Sequence, residues 1–386
     1  MNQQDSLAFT GIGMVTSLGA DVVTSCAAAR AGLSRLQEME DFPVRSLQDG
    51  LVSGLGAHAA ALVTRGFEGF ARLVRLAHAG LRDLLGQLDP SYWQGRRTAC
   101  YLSLPSPLRT FAGSAWLDDE STRAAWAEQR REAEGAAGAA GAAAASLLAK
   151  AGALAGFAGD TSPRFVTHAG RTGVAEALQR AWADLSSNLI DVAVIGAIDT
   201  LLEEDTLRWL AETKRLKDAN HPVGVLPGEG AAFLAVELAS AARRRALRPL
   251  GLLEAFGTGH EPHPWVSGET PLGDGLAQAI LSARGAEAPA EAPWLVSDHA
   301  GDAYSVSDWG HALSRLTTKD ATFAKLDVWY PAISFGDTDA AYGAIATCMV
   351  LRGFQRAYAP AGRAVIAAAA LDSARAAFRV ARQGEA

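Results

Sequence analysis

The feature that most constrains this chain is a rhythm: short, almost wholly apolar runs alternate with segments of helical spacing along nearly its whole length. DVAVIGAI at 191–198 is the plainest of these runs. It lacks polar alternation, so a strand made from it needs cover on both faces. Just before it, Val174, Ala177, Leu178, Ala181 and Leu185 fall on one helical face within 172–186. The same reading places strands at 7–15, 97–104, 164–166, 228–237, 250–257, 294–297, 325–330, 364–370 and 378–381. Helices are expected at 20–32, 66–88, 203–212, 273–284, 305–317 and 339–353. Such alternation in both halves predicts α/β layers around buried, mostly parallel sheets.

Several function classes are excluded by composition. With 35 Lys and Arg against 42 Asp and Glu in 386 residues, there is no basic excess to neutralise a phosphate backbone, and nucleic acid is not an expected partner. The basic run at 241–246 (AARRRA) reads as a solvated helix end. Cys26, Cys100 and Cys348 are odd in number and far apart. They support neither a disulfide framework nor a zinc ribbon, and a reducing, cytoplasmic setting is expected. The start, MNQQDSLAFTGIG, has an acid and no basic region before its apolar stretch, unlike a secretory signal. No uncharged apolar run approaches the roughly 20 residues of a membrane helix.

Candidate cofactor and metal signals are weak. Gly11, Gly13 and Gly19 suggest a strand, Gly-rich turn and helix, but Thr16 stands where a dinucleotide loop needs its third glycine. His260 and His263 have His-x-x-His spacing, yet the prolines in HEPHP deny a helix face and no third ligand is near. No cofactor or metal is expected. Phe67, Phe70, Leu73, Leu76 and Ala77 form one stripe of the 66–88 helix and read as core. From Gly135 to Gly159, 19 of 25 residues are Ala or Gly. Alanine favours helix and the glycines oppose it, giving a loose, partly exposed helix or a surface that another helix or subunit can approach closely.

Four stretches taken together carry a resemblance. AFTGIGMVTSLGADVVTSCAAARAGLS, DVAVIGAIDTLLEEDTLRWL, RLKDANHPVGVLPGEGAAFLAVE with its Gly-Glu-Gly-Ala at 228–231, and ISFGDTDAAYGAIA at 333–346 occur in one order from residue 7 to about 371. In that order they resemble the β-ketoacyl synthase branch of the thiolase-fold superfamily. The resemblance implies a five-layered α/β/α/β/α fold of two similar halves, 1–240 and 241–386, usually dimeric. It also implies a cysteine that takes an acyl group from a carrier thioester, two histidines that stabilise an enolate, and backbone oxyanion holes. That chemistry needs a thiolate, favoured at a helix N-terminus.

The chain departs from this pattern at four places. The segment matching Thr-Ala-Cys-x-Ser/Thr-Gly is His168-Ala169-Gly170-Arg171-Thr172-Gly173, so the nucleophile position is Gly170, which has nothing to acylate. The first histidine matches His299, but the threonines of its loop are missing; a catalytic remnant and an ordinary loop histidine both fit. At the second histidine the pair is Gly336-Asp337, with Ala332 at the lysine and Ile333 at the serine. A carboxylate there opposes a developing oxyanion. The late Gly-Phe-Gly-Gly-Thr-Asn loop has no counterpart in AAALDSAR at 368–375.

No catalytic residue is therefore assigned; the remnant pocket is His168, Gly170, Arg171, His299 and Asp337. Arg171 beside Gly170 could hold an anion, or these side chains could pair with one another and plug the space. Three functions remain open. One is an inactive, protein-binding scaffold. The pattern SDxxGxxYxxxxWGxAxxR at 297–315 with SFGDTDAA is similar to thiolase-like proteins found beside type VI secretion adaptors and effectors. The second is a chain-length-factor-like partner of a 3-oxoacyl-ACP synthase, and the third a residual acyltransferase or decarboxylase using His299. The expected partners are a second thiolase-fold subunit, identical or related, an effector or adaptor, or an acyl-carrier protein. A membrane is not among them.

Overall fold

The computed structural model describes residues 5–106, 137–285 and 293–384. Residues 135–136, the start of the Ala/Gly-rich segment, lie outside these ranges. In chain order, β1 is Leu7–Val15, α1 Val22–Arg30, β2 Gln37–Arg45, β3 Val52–Ala57, α2 Gly69–Gln87, β4 Thr98–Ser103, α3 Ala137–Ala155 and β5 Pro163–Thr167. Next come α4 Gly173–Ser186, β6 Val192–Thr200, α5 Glu204–Glu212, β7 Glu229–Leu238, β8 Gly251–His260, α6 Asp274–Arg284 and β9 Trp294–Ser297. The chain closes with α7 Ala303–Lys319, β10 Asp327–Trp329, α8 Tyr342–Gln355, β11 Arg363–Ala369 and β12 Ala374–Ala381.

Among the described residues the main sheet has ten strands, in the order β10-β9-β11-β12-β8-β1-β7-β6-β4-β5. It divides at β1 and β8, which meet through three register pairs, Leu7 with Leu253, Ala8 with Leu252 and Phe9 with Gly251. Numbered within each half, both five-stranded parts have the same order, 3-2-4-5-1. The fold is thus a duplicated unit. The expectation of mostly parallel sheets needs correction. β4 is parallel to β5 and β6, and β9 to β10 and β11, but every pairing that involves β7, β12, β1 or β8 is antiparallel. The short link from β11 to β12 leaves no room for a crossover helix, so that pair must be a hairpin.

Five layers follow from where the apolar faces point. α4 and α8 lie between the two half-sheets in the largest core cluster, with Val174, Leu178, Ile345 and Leu351 shut off from solvent. α8 is covered nearly all round and is apolar to match, whereas α4 turns Gln179, Arg180 and Ala183 to solvent. Outside the first half-sheet, α2 and α3 bury Leu76, Leu84, Leu147 and Leu148. Beyond the second, α6 and α7 bury Ile280, Trp309 and Leu316. The stripe on α2 begins later than its spacing suggested: Phe67 and Phe70 are exposed, and Val74, Leu81 and Leu84 take the inward face.

Gly11 and Gly13 lie within β1 and not in a turn after it. A Cβ on Gly13 would fall on the α2 backbone at Leu84, so this glycine lets the helix sit directly on the strand. The second half repeats the device: a Cβ on Gly257 or Gly259 of β8 would strike the α6 backbone at Ala279 or Gly275. Gly-x-Gly serves helix-on-sheet packing twice over. The basic run at 241–246 ends a short helix, where Arg243 and Arg244 are exposed and Arg245 pairs at 3.1 Å with the buried Glu237. Among the described residues no helix is long and apolar enough to cross a membrane.

Candidate functional site

The site forms where the turns entering α4 and α8 face each other. Gly170–Thr172 is a 3-10 turn that runs into α4, and Asp339–Ala341 is one that runs into α8. Gly170 has φ +59°, a left-handed conformation that glycine adopts without penalty. A Cβ there would lie 3.2 Å from Asp339 Oδ1 and 3.6 Å from Ser106 Cβ. A side chain at position 170 would therefore be strained and pressed against a carboxylate.

Arg171 fills the centre, with 6 % of its surface exposed. Its Nη2 donates to Asp337 Oδ2 at 2.5 Å, and its other nitrogens lie 3.8 Å from Asp298 Oδ2 and 3.8 Å from Asp339 Oδ1. Burial works against the charged guanidinium, but Asp337, Asp298, Asp339 and Asp302 outweigh it and hold its pKa above the ordinary value. Asp298, at the end of β9, accepts from the Ala369 amide at 2.7 Å. Burial pushes its carboxyl up to about 6, although Arg171 opposes the shift. Burial also acts to raise Asp302, but Arg215, Arg171 and hydrogen bonds from Ser305 prevail and bring it down to about 2.

The two histidines stand apart from this ion cluster. His168 donates through Nδ1 to the Pro105 carbonyl at 2.9 Å, and its buried Nε2 has no partner among the described residues. His299 Nδ1 lies 3.4 Å from Ser305 Oγ, and its ring meets Tyr330 edge-on at 5.9 Å. Burial lowers the His299 pKa, so its imidazole is neutral at neutral pH and offers no cation to a developing enolate. Of the residues singled out from sequence, Gly170, Arg171 and Asp337 converge. His299 lines a cavity beside Arg171, and His168 is held on the far side of Gly170 by Pro105.

That cavity is about 20 Å³, bounded by Arg171, Arg215, Asp298, His299, Ser305 and Trp309 among others. It has room for about one water and none for an acyl chain. A satellite apolar cluster caps it, built from Leu55 of β3, Leu207, Trp209 and Leu210 of α5, Leu216, Val225 and Trp265, with Ala300, Tyr304 and Leu371 packed against them. Arg215 bridges cap and pocket. Its guanidinium lies 5.3 Å from the Trp209 ring and 5.1 Å from the Trp265 ring, and its Nη2 is 3.4 Å from Asp302.

Sequence reasoning missed Arg215, Asp298, Asp302 and Asp339, together with the cap. Asp298 and Asp302 already stood in the pattern at 297–315 and Asp339 in DTD at 337–339, so the signal was a second and third carboxylate near each marked position. All three cysteines are distant from Gly170 in character as well as sequence. Burial pushes the Cys26 and Cys100 thiols up to about 12 and Cys348 well above its ordinary value. None supplies a thiolate at neutral pH. Among the described residues no group of three His, Cys, Asp or Glu side chains is placed to hold a metal ion.

No protein-family model and no curated protein matches the sequence. Solved structures do match the fold. A chain of the type II polyketide synthase assembly AntDE:AntF, in which an acyl-carrier protein is in complex with its ketosynthase, superposes with a TM-score of 0.72 at 13 % identity, covering 99 % of this chain and 100 % of that one. The ishigamide ketosynthase/chain length factor gives 0.70 at 17 % identity, with 99 % and 100 % covered. The oxazolomycin ketosynthase domain OzmH KS7 of Streptomyces albus JA3453 gives 0.69 at 16 %, with 99 % of this chain and 76 % of that one. Across almost its full length, this chain has the thiolase-like fold of the ketosynthases.

Proposed function

We propose that this protein is a noncatalytic ketosynthase-fold subunit that works by associating with other proteins. The observation that carries the reading is the occupant of the nucleophile position. Gly170 has no side chain, a carboxylate stands where its Cβ would point, and the next residue is an arginine locked to Asp337. Acyl transfer needs a nucleophile and donors aimed at an oxyanion; carboxylates crowd this pocket instead. The family's second histidine position is Asp337, whose Oδ2 is committed to Arg171.

The favoured partner is a related thiolase-fold subunit, in the manner of a ketosynthase paired with its chain length factor, or an acyl-carrier protein. Both appear as components of the structures this chain superposes on. Either partner would meet a protein whose own pocket beside Arg171 is only about 20 Å³. No feature of the fold or of its structural relatives favours a type VI secretion adaptor. The His299-dependent acyltransferase or decarboxylase is disfavoured by the neutral, half-buried imidazole and the small cavity.

The test combines two measurements. Incubation with acyl-CoA and with acylated carrier protein, read by intact-mass spectrometry, is expected to leave the chain unmodified; a stoichiometric acyl adduct overturns the proposal. Affinity purification from the native host is expected to bring down a second thiolase-fold chain or a carrier protein. Turnover of malonyl thioester that disappears in His299→Ala would instead establish the residual enzyme.

A further inference from the structure

One guanidinium faces three carboxylates here, and they hold it unequally. Arg171 belongs to the first half of the fold; Asp337, Asp339 and Asp298 all belong to the second. The contact to Asp337 is short, at 2.5 Å, while those to Asp298 and Asp339 are 3.8 Å. Asp298 is thus a buried carboxylate within reach of a cation that has been claimed by another. Its only close hydrogen bond among the described contacts is the one it accepts from the Ala369 amide.

We propose that Asp298 is a proton-operated latch that sets the position of Arg171 in the pocket. With its proton on, the guanidinium rests on Asp337 and Asp339 at the start of α8. With its proton off, it is drawn toward the end of β9, and the first half of the molecule is tied to both elements of the second.

The surroundings of Asp298 are consistent with this from every side. Arg171 approaches from the turn before α4. Arg375 on β12 and Asp308 on α7 are paired with each other at 2.9 Å, leaving that second guanidinium occupied. Tyr342 on α8 is spoken for as well, its hydroxyl lying 2.8 Å from the Val296 carbonyl and 2.9 Å from that of Ala367. Within its own loop, Asp302 is engaged by Ser305 at 2.8 Å, and by Arg215. His299, neutral through burial, adds no charge. Arg171 holds Asp337 through Nη2 and has its Nη1 3.8 Å from Asp298, so it is the guanidinium of this group placed to close on Asp298 when that carboxyl ionises. Burial places that ionisation at about 6, within reach of ordinary changes in solution pH.

A group whose carboxyl titrates higher in the folded chain than in the unfolded one binds its proton preferentially in the folded state. Its contribution therefore declines as pH rises from about 4 to about 6 and is flat above. Thermal unfolding of the full chain and of Asp298→Asn across this range tests the latch. The melting temperature of Asp298→Asn minus that of the unmodified chain is expected to climb between about pH 4 and pH 6 and then level off; a difference that does not change with pH overturns the proposal. Should Asp298→Asn fail to fold, hydrogen exchange of residues 363–369 in the unmodified chain decides. Protection of the Ala369 amide, corrected for intrinsic rate, is expected to fall several-fold as Asp298 ionises, because an opening that hydrates this carboxyl is favoured once its proton is lost. Protection that is invariant across about pH 5 to pH 7 overturns it.

Discussion

The turn into α4 and the turn into α8 occupy equivalent places in the two halves, and each is a 3-10 segment leading into a helix buried between the sheets. Each helix then places a glycine against a neighbour: a Cβ on Gly173 would strike Ser103 Oγ, and one on Gly343 would lie 2.8 Å from Val174. The backbones are alike, but the charges are opposite, with Arg171 on one turn and Asp337 and Asp339 on or beside the other. The duplicated scaffold and the chemistry it displays have separate histories. Packing constrains the first, while a few side chains at the helix entrances carry the second.

Removing the positive turn should be the most damaging change. Arg171→Met leaves the buried carboxylates of Asp337 and Asp298 without their guanidinium, and is expected to cost about 3–5 kcal/mol in denaturant unfolding. Asp337→Asn should cost less, about 1–3 kcal/mol, because Asp298 and Asp339 still neutralise Arg171. If the two variants cost the same, the turns are not asymmetric in the way described. Gly170→Ala is expected to lose about 1–2 kcal/mol, since its φ of +59° is a left-handed conformation that a Cβ disfavours. Gly170→Cys should likewise gain no acylation by a thioester in intact-mass analysis, with Asp339 beside the new side chain holding its thiol protonated. The control lies away from both turns: Arg208 and Glu204 on α5 form an exposed pair, and Arg208→Ala should shift stability by only about 0.3 kcal/mol.

Much of the scaffold was legible in the sequence because its elements are either wholly apolar or strongly amphipathic. β1 and β9 match their expected limits, and α4, α5 and α6 begin within one residue of theirs. The hairpin of β2 and β3 was not foreseen. Pro43 argues against a strand, and an irregularity between Met39 and Pro43 breaks the alternation that marks a half-buried one. The two similar halves were expected from the resemblance and not from a repeat in the residues; GIG at 11–13 and GTG at 257–259 record that repeat, but Gly11 and Gly13 read as turn residues. At the site, motif positions located Gly170, Arg171 and Asp337. They could not reveal that Asp298 and Asp339 share the same guanidinium, since those contacts depend on how two distant halves are docked. Nor could spacing foresee the cap. Trp209 lies on α5, Arg215 just after it and Trp265 in a turn after β8, and only the folded chain stacks them.

The order of strands within each half also bears on how the protein emerges from a ribosome. β1 opens the first half, yet it pairs with β7, which closes that half, as in Leu7 with Leu238; β8 opens the second half and pairs with β12, which closes it. Each half must hold its opening strand unmatched until its closing strand arrives. Such long-range closure slows folding and leaves an apolar edge waiting in the open. During synthesis the nascent first half is therefore the form of this protein most in need of a chaperone.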